Sequence, residues 1–202
     1  MICKHMRAAK TREVLYIQLL ALLRTSPTPR GRRNLAEELK IGEGVARALL
    51  EAGRHLGHIY IMRGGAKITE AGDTFLRDIF ATCKIGAVVP MNDAGKYLCG
   101  KRCLAFIIDD KIPNAVAMRD ELVRLGACGA LIVEKQEDLV LPPTYEKLRK
   151  YIPQLAENLS EHLSQGQSAV VTCGETYADA MSFIQIRCKN LLTGDEENPA
   201  DM

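Results

Sequence analysis

Two short runs of helical spacing, separated by a tight turn, constrain this chain most. Leu35, Ala36 and Leu39 line one side of a helix that opens at Arg33 or Asn34. Ala46, Leu49, Leu50, Gly53 and Leu56 recur at intervals of three and four, which gives a second buried stripe from about Glu43. Ile41-Gly42-Glu43-Gly44 lies between them, and Gly57 ends the second helix. An amphipathic helix over Arg12 to Arg24 precedes the pair, broken by Ser26, Pro27, Pro29 and Gly31. A hairpin follows: His58–Arg63, a Gly64-Gly65 turn tolerating positive φ at both positions, and Ala66–Thr69. A helix over Glu70–Thr82 closes the series.

Helix, helix, turn, helix, hairpin, helix is the plan of a winged helix-turn-helix. The segment NLAEELKIGEGVARALLEAGRHLGHI resembles the helix-turn-helix of prokaryotic transcriptional regulators, and MRGGAKITEAG resembles the wing. Gly53 stands where that pattern carries a larger apolar residue, which predicts looser packing there.

The second half alternates short apolar runs with helical stretches. Strands are expected at Ile85–Pro90, Cys103–Ile108, Ala130–Val133, Asp138–Leu141 and Ser168–Cys173. Helices are expected at Asn114–Gly126, from Pro143 to near Leu163 with Pro153 kinking or dividing it, and at Glu175–Leu192. This alternation predicts a small α/β domain with a partly parallel sheet. The division is a winged helix-turn-helix domain at residues 1–84, an α/β domain at 85–192 and a disordered acidic tail at 193–202. The layout resembles an uncharacterised archaeal two-domain family that joins a winged helix to an α/β domain. The resemblance lies in IGEGVARALL, in MRDELVRLGACGALIV and in LVLPP. It implies a regulator-like architecture and no known ligand.

Charge supports a polyanion partner. Residues 1–84 hold 15 Lys+Arg against 8 Asp+Glu, whereas residues 85–202 hold 12 against 17. A helix in the major groove presents side chains to base edges. Off the apolar stripe of the second helix of the pair lie Glu43, Arg47 and Arg54. Arg47 either reads a guanine edge or pairs with Glu43 or Glu51 one turn away. Arg30, Arg32 and Arg33, with Arg63 and Lys67 beside the hairpin turn, are the phosphate-contact candidates.

The expected function is therefore sequence-specific binding of double-stranded DNA by a transcriptional regulator. The expected form is a homodimer, with its interface on the first or the closing helix. A protein-interaction module and an enzyme using the α/β half are the competing classes. No phosphate loop, nucleophile elbow or metal-ligand spacing is present, so neither cofactor nor turnover is expected. Two readings are open for Asp109 and Asp110 after one strand and Glu175, Thr176 and Asp179 after another: a small-molecule effector site at the strand ends, or, favoured, ordinary turn and helix-start residues. Seven cysteines at irregular spacing, with no secretory signal, argue against a disulfide framework. Cys99 and Cys103, which flank Lys101-Arg102, are expected to be dispensable for folding. No apolar run reaches membrane-spanning length, and a cytoplasmic location follows.

Overall fold

The computed structural model describes residues 11–188. The expected acidic tail, the last residues of the closing helix and the basic first ten residues lie outside them. Helix α1 (Arg12–Arg24) is opened by Thr11, whose Oγ1 accepts from the Val14 N–H at 3.3 Å. Helices α2 (Arg32–Leu39) and α3 (Glu43–His55) follow. The hairpin β1 (Ile59–Met62) and β2 (Gly65–Ile68) leads into α4 (Glu70–Thr82). All these elements stand within a residue or two of their sequence-predicted bounds.

The hairpin turn differs from expectation. Met62 pairs with Gly65, so the turn residues are Arg63 and Gly64. Gly65 has φ +128° and is needed for contact rather than for turning: a Cβ there would lie 2.5 Å from the Arg30 carbonyl oxygen. The backbones of Arg30 and Ala66 exchange hydrogen bonds at 3.0 and 2.9 Å, adding a short third strand to the hairpin.

Gly53 is also tightly packed, contrary to the sequence expectation. A Cβ there would meet Ile59 Cδ1 at 2.4 Å and the Tyr16 hydroxyl at 3.1 Å. Gly72 is stricter still, because its Cβ would lie 2.2 Å from the His58 carbonyl oxygen, which is backbone. Gly72→Ala should destabilise by about 2 kcal/mol despite the better helix propensity of alanine. Chemical denaturation checks this, and a stability equal to wild type overturns it.

The second half holds β3 (Ala87–Pro90), β4 (Arg102–Ile108), α5 (Ala115–Arg124), β5 (Gly129–Lys135), β6 (Leu139–Leu141) and β7 (Glu146–Lys147). Then come α6 (Pro153–Ser160), β8 (Ser168–Gly174), α7 (Tyr177–Ala180) and α8 (Ser182–Arg187). The chain is thus a mixed α+β fold, helices first and then a six-stranded sheet. The strand order is β3-β4-β8-β5-β6-β7. Every pairing is antiparallel, which corrects the partly parallel expectation. Strands β4 and β5 do run the same way, linked by α5, but β8 lies between them and pairs with both. The largely apolar runs of β4 and β8 come from burial on both faces, which an antiparallel sheet shares with a parallel one when helices cover each side.

One face carries Leu104, Phe106, Ile108, Ile132 and Val170. It continues without a break into α1, α2, α4 and α8 through Leu19, Leu22, Leu39, Phe80 and Phe183. The other face carries Cys103, Ala105, Val133 and Val171 and is covered by Leu155, Ala156 and Leu159 of α6. Helix α1 is therefore buried from Ile17 to Leu23, including Gln18, whose Nε2 donates to the Met181 carbonyl at 3.3 Å. Ser182, Phe183 and Ile184 of α8 are buried too. Over the described residues, neither the first nor the closing helix keeps the free apolar face expected of a dimer interface, because both are used inside the chain's own core.

Three further sequence expectations are corrected. The stretch expected to be helical from Pro143 is α-helical only from Pro153: before that the Pro142–Pro143 peptide is cis and the chain returns as the β6–β7 hairpin. Pro153 neither kinks nor divides a helix but starts α6, where its missing N–H costs nothing. The closing helix is split at Met181 into α7 and α8. Among the described residues, six cysteines form three disulfides, Cys83–Cys188, Cys99–Cys128 and Cys103–Cys173. Irregular sequence spacing had no bearing on this, because strand register brings Cys103 directly opposite Cys173. Among the described residues no helix is long and apolar enough to cross a membrane.

Candidate nucleic-acid interface

Helices α2 and α3 are joined by a turn that starts at Lys40, which adopts the left-handed conformation with φ 54°. The Ile41 N–H returns to the Ala36 carbonyl at 3.0 Å and ends α2. Helix α3 packs on α2 and β1 through Ala46, Leu49, Leu50 and Gly53. It leaves Glu43, Arg47, Glu51 and Arg54 exposed.

Helix starts differ in a way the sequence shows only in hindsight. Thr11, Thr69 and Asn114 cap α1, α4 and α5 with side-chain hydrogen bonds. Gly31 and Gly42 precede α2 and α3 and supply no such bond. The first N–H groups of α2 and α3 are therefore left for solvent or an anion.

The candidate cations fall into three groups. Arg32 reaches Glu43 at 3.4 Å, Arg33 reaches Glu37 at 3.1 Å, and Arg47 reaches Glu51 at 2.9 Å. All three are exposed pairs of small worth that a phosphate can displace. The Arg47 hydrogen bond holds the Glu51 carboxyl below its ordinary pKa, so this pair stays ionised at neutral pH. Arg54, Arg63 and Lys67 are exposed and make no ion pair among the described residues. Arg30 departs from expectation. Its Nε donates to Ser26 at 2.8 Å and its Nη1 to Asn34 at 2.9 Å, and the guanidinium lies over the Tyr177 ring. These ties fix it in the fold rather than toward a ligand.

The hairpin is rooted by an aromatic contact missed in the sequence. The Tyr16 hydroxyl lies 3.0 Å from His58 Nδ1, and His58 stacks on Phe75 with ring centroids 4.6 Å apart. Burial pushes the Tyr16 hydroxyl up to about 12. Beyond that root Tyr60, Ile61 and Met62 are exposed.

The candidate effector residues do not meet. Ile108 pairs with Ser168 and Arg102 with Gly174, so the carboxyl ends of β4 and β8 lie at opposite edges of the sheet. Seven-residue strands separate those edges by roughly 20 Å. The rule that gathers ligands at strand carboxyl ends needs parallel strands, and these are antiparallel. Asp109 accepts from Gln167 Nε2 at 2.7 Å. Asp110 accepts from Arg187 at 3.2 Å, which holds its carboxyl below the ordinary range, and also lies 3.4 Å from Lys84. At the other edge Glu175 meets Lys101 at 3.3 Å, and Asp179 accepts from Thr176 at 3.0 Å and Lys40 at 2.5 Å.

What does assemble at that edge is a polar clasp between the two halves. Glu38 of α2 is buried and takes Arg102 Nη2 at 2.6 Å and Nε at 3.1 Å. Its second oxygen accepts the Tyr177 N–H at 3.1 Å, and Arg102 lies over the Tyr177 ring. An acid adjoining Leu39 on a short amphipathic helix was the available signal.

No curated protein matches this chain. Among solved structures it is similar to "Hypothetical protein PH0730 from Pyrococcus horikoshii OT3", with a TM-score of 0.66 and 22% identity over 91% of this chain and 95% of that one. At that identity the likeness is one of fold, and it spans both halves. Over residues 99–187, from the loop before β4 to the end of α8, the chain matches the family model described as "Domain of unknown function (DUF4443)".

Proposed function

We propose that residues 1–84 form a winged helix-turn-helix that binds double-stranded DNA sequence-specifically, and that the protein is a transcriptional regulator. The observation that carries this is the pairing of uncapped glycine starts on α2 and α3 with Arg32, Arg33 and Arg47 beside them. Backbone N–H groups at helix starts, with arginines alongside, match phosphates. Arg63 and Lys67 on the hairpin add the second backbone contact expected of a wing. Arg47 and Arg54, on the outer side of α3, are placed to meet base edges.

The test begins with selection of bound duplexes from a random pool, followed by salt titrations on the enriched and a scrambled duplex. Arg32→Ala or Arg33→Ala should weaken both duplexes alike and lower the salt slope by about one unit per lost contact. Arg47→Ala should cost about 1–3 kcal/mol on the enriched duplex and much less on the scrambled one. No enrichment, and no effect of the three changes, would overturn the reading.

One observation favours a second reading, a protein-interaction module. Val45, Leu56, Tyr60, Ile61 and Met62 expose apolar surface on the same helix and hairpin. Under that reading Tyr60→Ser impairs partner capture, and the arginine changes leave it intact.

A further inference from the structure

Helix α5 buries Ala115 and Leu122 against the sheet. A neighbouring face carries Val116, Arg119, Asp120 and Val123, all exposed, with the two valines 54% and 45% accessible. These positions follow an i, i+3, i+4, i+7 pattern, so they form one stripe. Val116 and Arg119 also line the mouth of a cavity of about 520 Å³ beside β5, together with Tyr97, Ile132 and Pro143.

The stripe is self-complementary. Arg119 and Asp120 are neighbours in sequence and cannot face each other on a helix. Neither side chain makes an ion pair or hydrogen bond among the described residues, although most charged clusters elsewhere on the surface do. About a midpoint between Arg119 and Asp120, an antiparallel copy of the helix sets Val116 against Val123 and Arg119 against Asp120. Each contact occurs twice, as a two-fold interface requires.

We infer that α5 is the homodimer interface, packed antiparallel on α5 of a second copy. Valines form its two apolar contacts, and reciprocal Arg119–Asp120 pairs set its register. Opposite charges across the axis select this register, because a shift by one turn sets Arg119 against Arg124 in one direction and leaves both charges against Val116 and Ala115 in the other. The inference stands apart from the DNA reading, since oligomeric state is measured without DNA.

The test is sedimentation equilibrium of the full chain at micromolar concentrations. Wild type is expected to be dimeric. Val116→Glu should give monomer with unchanged circular dichroism, since the side chain is exposed. Arg119→Asp and Asp120→Arg should each weaken dimerisation at least tenfold, because each places like charges across the axis. The double exchange R119D/D120R should restore the dimer, which a merely local effect on the helix would not do. A monomeric wild type, a dimer indifferent to Val116→Glu, or a double exchange that fails to recover would overturn the inference.

Discussion

Replacing Cys83 and Cys188 with Ala should lower the unfolding free energy by about 4 kcal/mol. The two residues are 105 apart in sequence and tie the end of α4 to the end of α8. An open loop of about 100 residues would predict roughly 4.7 kcal/mol from the lost entropy of the unfolded chain. The other disulfides shorten that loop. With Cys103–Cys173 intact, the path from Cys83 to Cys188 covers about 35 residues, for which the same relation gives about 3.8 kcal/mol. Both cysteines are buried in the core shared by the two halves, so the alanines add a cavity cost as well. Urea denaturation of the oxidised protein measures the difference. Reductant should open Cys99–Cys128 first, because Cys128 is exposed. Thiol titration of the denatured, unreduced protein should find these six cysteines unreactive. Reaction of all six, or a loss under about 1 kcal/mol, would show that these pairs do not form.

The disulfides also show where sequence reasoning loses its grip. Short-range signals were legible. Caps, glycine stops and 3.6-residue stripes located α1 to α4, because each depends on residues within a turn or two. Long-range register was not. Cys103 faces Cys173 only because β8 enters between β4 and β5, and nothing local to either cysteine encodes that insertion. The same insertion parts Asp109 from Glu175. The expected redox argument failed for a separate reason: disulfide-rich proteins occur inside hyperthermophilic archaea, so paired cysteines do not by themselves assign a compartment. At the candidate interface, Arg47 was legible as an exposed cation on a predicted helix, and Arg32 and Arg33 as cations at a helix start. The ties of Arg30 were not legible, because Ser26 and Asn34 bind it across a turn and Tyr177 comes from the far end of the chain.

Arg102→Ala should destabilise the protein by about 3 kcal/mol, although Arg102 is partly exposed. The cost falls on its partner. The Glu38 side chain is 9% accessible, and Arg102 supplies its only charged contact among the described residues. Without it the carboxylate keeps the Tyr177 N–H and little else. Removing one member of a buried ion pair costs about 3–5 kcal/mol, and the 35% accessibility of Arg102 places this case at the lower end, since water can reach part of the site. Glu38→Gln should cost less, about 1–2 kcal/mol, because Arg102 can turn to solvent and the amide oxygen still accepts from Tyr177. Replacing both residues with Met should recover most of the loss, since an apolar pair avoids the desolvation of two charges. Urea unfolding of wild type, Arg102→Met, Glu38→Met and the double Met variant forms a double-mutant cycle with a coupling of at least about 1 kcal/mol. A coupling near zero would mean that the clasp is incidental surface chemistry. A clear coupling carries a consequence for the helices above it. Glu38 lies one residue before the end of α2, and Lys40, at the turn into α3, is held by Asp179 at 2.5 Å. The tilt of α3 is then set by the edge of the sheet, and Arg102→Ala should weaken binding to the enriched duplex without touching it.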